Sequence, residues 1–78
     1  MNEKQLTAVI IDDMEDAIAA LKDEVETHCP SIQLLETANS VVSGTKLLKK
    51  IQPDIVFLDI ELGDGTGFDI LEMLGEYS

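Results

Sequence analysis

The chain has 78 residues, of which 45% are hydrophobic, and a formal charge of -11 at pH 7 with no arginine. It is therefore one small domain at most, able to bury about 60–65% of its unfolded surface, and it is too apolar to be intrinsically disordered. The acidity argues against direct nucleic-acid binding, which needs cations to replace phosphate counterions, and against binding an anionic membrane surface.

Thr7–Asp12 is a short continuous apolar run, the pattern of a strand covered on both faces. Met14, Ile18, Leu21 and Val25 then recur at helical spacing, predicting a helix from about Asp13 to His28 that stops at Cys29-Pro30. Ile32–Ala38 reads as a second strand, less uniformly apolar and so nearer an edge. Asn39-Ser40 supplies an N-cap for a helix placing Val41, Gly44, Leu48 and Ile51 on one face. Gly44 there costs about 1 kcal/mol against alanine. Gln52-Pro53-Asp54 resets the chain into a third strand, Ile55–Leu58. Three glycines between Leu62 and Phe68 mark a loop that needs positive φ or close backbone approach. Thr66 is placed to cap a third helix with Ile70, Leu71 and Leu74 inward. The resulting βαβαβα order implies an α/β fold with a parallel sheet, right-handed crossovers and helices on both faces.

Asp12-Asp13 closes the first strand and Asp59 closes the third. Parallel strands put these three carboxylates together at one edge of the sheet, where like charges repel. A hard divalent cation with oxygen ligands, Mg2+ or Mn2+, is the natural counter-charge.

Taken in order, Asp12-Asp13, Val56-Phe57-Leu58-Asp59 and Leu62-Gly63-Asp64-Gly65-Thr66-Gly67-Phe68 resemble the receiver domain of two-component response regulators, over essentially the whole chain. The resemblance implies a truncated flavodoxin-like sheet of order 2-1-3, the first part of the doubly wound order 2-1-3-4-5. It further implies that Asp59 is a phosphoacceptor served by a sensor histidine kinase. Asp13 would bind Mg2+ directly, Asp12 mainly through water, and the backbone carbonyl of Glu61 would complete the protein ligands. Gly63 stands where the family usually has proline, and the spelling from Asp59 to Phe68 is most similar to regulators with a LytTR-type DNA-binding output, hence transcription regulation. Residues 1–78 match an incomplete receiver, the first three-fifths, lacking two strands with the switch Ser/Thr and the phosphate-pairing lysine. Lys4, Lys22, Lys46, Lys49 and Lys50 do not match that lysine. Such a fragment is expected to switch poorly and not to be an enzyme.

Other residues carry less. Asp64 is expected to shape the glycine turn, Glu61 to face solvent, and His28 to complement a helix C-terminus. Met14 and Met73 read as core or near-core packing, Cys29 as a small packing residue, and Tyr77 has no assigned place. With one cysteine no intrachain disulfide can form, so a reducing compartment fits. The N-terminus lacks signal-peptide features and no apolar stretch nears the roughly 20 residues of a membrane span, so a soluble, cytoplasmic protein is expected.

Two rival readings remain. A haloacid-dehalogenase-type phosphatase fragment needs an aspartate where Glu61 stands, and leaves Asp12-Asp13 unexplained; an EF-hand loop from Asp59 fails at Asp64 and Ile70. A non-catalytic, self-associating fragment is the stronger competitor. Its third strand would be a naked apolar edge, and two copies pairing there would give a symmetric homodimer of strand order 2-1-3-3'-1'-2'.

Overall fold

β1 (Leu6–Ile11) lies between β2 (Ile32–Ala38) and β3 (Ile55–Leu58) in a parallel sheet of order β2-β1-β3, the order expected. The structure is a computed structural model and describes residues 5–75. A central parallel strand is covered on both faces and needs apolar side chains on both. Ala8, Val9, Ile10 and Ile11 are accordingly all at most 1% exposed. β1 runs in register with β3 from Ala8↔Ile55 to Ile11↔Leu58. Its register with β2 shifts between Ala8 and Val9, skipping Leu35, which is left partly exposed.

α1 (Glu15–His28) ends one residue before Cys29-Pro30, as the proline predicts. It starts later than the sequence pattern suggests. Asp12 Oδ1 accepts the Met14 N–H at 3.0 Å, and Met14 stays extended as the N-cap. Met14 is thereby off the helical stripe and 61% exposed, which corrects its reading as a packing residue. Met73 is 54% exposed but flanks the inward stripe of α3 (Gly67–Leu74), one turn from Ile70. Its sulfur accepts the hydroxyl of buried Thr45 at 3.9 Å, so it packs beside the core.

One core cluster joins Val9, Ile11 and Ala38 of the sheet to Val41 and Leu47 of α2 (Val41–Lys50) and Ile70 of α3. The buried side of α2 is wider than its predicted stripe, since Thr45 and Leu47 are buried while Leu48 and Ile51 are only half-buried. The reason is that α2 packs against both the sheet and α3. Gly44 sits where this packing is tightest: a Cβ there would meet Ile70 Cδ1 at 2.9 Å and Ile11 Cγ2 at 3.1 Å.

The glycine-rich loop is more ordered than its sequence suggests. β4 (Glu61–Leu62) and β5 (Gly65–Thr66) form an antiparallel hairpin closed by Gly63-Asp64, with Gly65 at φ 153°. Leu62 anchors it in the core. Thr66 caps α3 as expected: its hydroxyl accepts the Asp69 N–H at 3.3 Å and Asp69 Oδ2 accepts the Thr66 N–H at 2.8 Å.

Candidate functional site

The sheet ladders continue one rung past the strands and carry the acids with them. The Asp59 N–H donates to the Ile11 carbonyl at 2.9 Å, and the Asp12 N–H donates to the Ala38 carbonyl at 3.1 Å. Asp12, Asp13 and Asp59 consequently converge, each offering a carboxylate oxygen within 4.8 Å of the others. Asp12 and Asp59 are half-buried and Asp13 is exposed. Asp13, Met14, Asp59, Ile60, Glu61 and Leu62 line one open cleft, so Glu61 lies beside the cluster, its side chain exposed as expected.

Close packing sets the path of the chain after Asp59. The Gly67 N–H donates to the Ile60 carbonyl at 2.8 Å. A Cβ on Gly67 would come within 2.7 Å of the Asp59 carbonyl oxygen, so only glycine lets α3 start this near the acid. Among the described residues, no lysine lines the cleft beside the three carboxylates.

The donor set fits a divalent cation. All three side chains offer the hard oxygens such an ion takes, and oxygens around Mg2+ stand about 3–4 Å apart at ordinary bond lengths. The observed 4.8 Å spread closes with small side-chain adjustments. One Asp12 oxygen already accepts from Met14, which leaves the other for an ion or its water.

Two acids make contacts that the sequence reading did not assign to them. Asp54 Oδ2 accepts both the Thr7 N–H at 2.8 Å and the Thr7 hydroxyl at 3.1 Å, locking the start of the β1–β3 pairing. Asp64 does more than sit in the glycine turn: its Oδ1 accepts the Val41 N–H at 2.7 Å and its Oδ2 the Val42 N–H at 3.2 Å. A helix start leaves four N–H groups without intrahelical partners. In α2 the Ser43 hydroxyl takes that of Ser40, the Ser40 hydroxyl takes that of Ser43, and Asp64 takes the two between. The Val41 N–H, with that of Val42, holds the Asp64 carboxyl below its ordinary value. The only sequence signal was that α2 has no acid in its own first turn.

The remaining candidates lie away from the cleft. His28 pairs with Glu24 one turn earlier, at 3.5 Å on an exposed surface, and Cys29 is half-buried at the end of α1. Lys46, Lys49 and Lys50 are exposed on α2, with Lys50 near Glu36 at 3.8 Å. Lys4 and Tyr77 lie outside the described residues. No helix among those residues is long and apolar enough to cross a membrane.

An acidic cleft at the carboxyl edge of a parallel sheet of order β2-β1-β3 defines a flavodoxin-like α/β domain of receiver type. No family model matches the sequence. The chain is 36% identical over 72 residues to an uncharacterized response regulatory protein, VP0538, of Vibrio parahaemolyticus, which covers 88% of this chain and 28% of that protein. It is also 36% identical to the sensory transduction protein LytT of Bacillus anthracis, again over 88% of this chain and 28% of the relative. Among solved structures, a LuxR-family two-component response regulator from Aurantimonas superposes with a TM-score of 0.83 at 18% identity, over 91% of this chain and 50% of that one. The non-phosphorylated HemR receiver domain of Leptospira biflexa gives a TM-score of 0.73 at 27% identity, over 90% and 54%. The chain is a homologue of response regulators, LytT among them, and has the fold of their receiver domains. It spans less than a third of the length of these curated relatives.

Proposed function

We propose that the chain is the phosphoacceptor part of a two-component response regulator, with Asp59 as acceptor and a sensor histidine kinase as donor. The convergence of Asp12, Asp13 and Asp59 within 4.8 Å is the observation that carries this reading. An Asp59 oxygen attacks the phosphorus of a phosphohistidine; the P–O bond forms, the P–N bond breaks, and its electron pair returns to the imidazole. Phosphoryl transfer depends chiefly on positioning and charge neutralisation. Bound Mg2+ or Mn2+ would supply that neutralisation, held by Asp13 and Asp59, by Asp12 through water, and by the Glu61 backbone carbonyl. The setting that suits this role is the cytoplasm, and in a longer protein the receiver would control a transcription-regulating output. The domain accepts a phosphoryl group and is not itself an enzyme acting on a separate substrate.

These residues alone would switch poorly, because no described lysine lines the cleft to pair with the phosphoryl oxygens. Loss of one such preorganised contact typically costs about 10²–10³ in rate. Treatment with acetyl phosphate and Mg2+ should therefore give slow, low-yield addition of one phosphoryl group by mass spectrometry, abolished in Asp59→Asn. Equal labelling of the variant would refute Asp59 as the acceptor.

A second reading rests on β3, which among the described residues pairs only with β1 and borders an apolar groove lined by Val56, Leu58, Leu71 and Leu74. Such an edge favours pairing with another strand. A homodimer joined through β3 would bury it, and sedimentation of a stable micromolar monomer would refute that assembly.

A further inference from the structure

We propose that Asp64, outside the acidic cluster, is a positioning residue that ties the β4–β5 hairpin to the start of α2 and so fixes Glu61 against the cleft. The inference rests on the metal reading given above and adds a residue that reading does not use. The hairpin runs from Glu61, which lines the cleft, to Thr66, which caps α3. Strands of two residues each have little stability of their own, so their placement depends on what holds them. Leu62 holds the inner side in the core, and the Gly67–Ile60 and Thr66–Asp69 hydrogen bonds hold the base. At the tip, the two bonds from Asp64 to Val41 and Val42 span 23 and 22 residues of sequence. An acid at a helix N-terminus also complements the helix dipole, and α2 brings none in its own first turn.

Two roles are separable. Asp64 could act on the cleft only by stabilising α2, or by tethering the hairpin; the tether is what we propose. Val42 is 53% exposed in the first turn of α2, so Val42→Asp returns an acid to that helix without attaching the hairpin. Calorimetric titration with Mn2+ and urea unfolding should be run on the wild-type chain, Asp13→Ala, Asp64→Ala, Asp64→Asn and Val42→Asp/Asp64→Ala. A residue bonded directly to a metal ligand typically costs about 10–100-fold in affinity when removed, so a more remote tether should cost roughly three- to tenfold. Asp64→Asn, which keeps one acceptor oxygen, should recover part of that loss. The double variant should regain the urea midpoint while Mn2+ binding stays weak. Unchanged affinity in Asp64→Ala, or full recovery of affinity in the double variant, overturns the tether and leaves the metal reading intact. Undiminished Mn2+ binding in Asp13→Ala overturns the metal reading and the tether with it.

Discussion

The Asp59 N–H reaches the Ile11 carbonyl at 2.9 Å, so the residue that carries this carboxylate is held by the central strand as well as by its own. Asp12 follows Ile11 directly, and one backbone hydrogen bond therefore sets the spacing between the two halves of the acidic cluster. The site is a consequence of parallel pairing. It forms wherever β1 and β3 end together.

Metal binding should follow the cluster. Asp13 is its exposed member, so replacing it removes a ligand with little effect on packing. Asp13→Ala is expected to abolish Mn2+ or Mg2+ binding by calorimetry while stability in urea stays within about 0.5 kcal/mol of wild type, as for most surface changes. Intact binding would place the ion elsewhere.

Gly44→Ala tests the seam between α2 and the core. Helix propensity favours alanine by about 1 kcal/mol. The added methyl, however, meets Ile70 and Ile11, both fully buried, at 2.9 and 3.1 Å. Overpacking of this kind costs about 1–3 kcal/mol. Net destabilisation is expected in urea, and trimming Ile70 to Val in the same chain should relieve part of it. A gain in stability from Gly44→Ala would show that the seam has room.

Acid should weaken the hold of Asp64 on α2. Its carboxyl titrates below the ordinary 3.8 in the folded chain. Its contribution is therefore complete above the unfolded-state value and is lost as pH falls through the lower, folded value. Asp64→Asn should unfold at lower urea than wild type at pH 7, and the gap should narrow as the pH is taken down to about 3. A gap that is constant between the two pH values would mean that the carboxylate charge contributes nothing.

Much of this was legible in the sequence because apolar periodicity and capping chemistry are local. The bounds of β2 and β3, the end of α1 at Cys29-Pro30, and the caps at Ser40 and Thr66 follow from neighbours within a few residues. The acids at the strand ends were visible for the same reason. The roles of Asp54 and Asp64 were not, because their partners, Thr7 and Val41, lie 47 and 23 residues away. Met14 kept the helical spacing but not the helix, since the Asp12 side chain holds it in an extended turn. The hairpin was hidden by its length: two-residue strands carry no readable alternation.

The strand at the middle of the sheet is also the first of the three to be synthesised. β1 acquires one neighbour from beyond α1 and the other only after α2, where Asp54 closes on Thr7 across 47 residues. Closing so distant a pair is entropically slow compared with forming a helix turn. A nascent chain can thus form its helices early yet leave Ala8–Ile11, its most deeply buried stretch, half-covered until Leu58 has emerged. Maturation of the acidic cluster and burial of the core are then the same late event, since both wait on the pairing of β1 with β3.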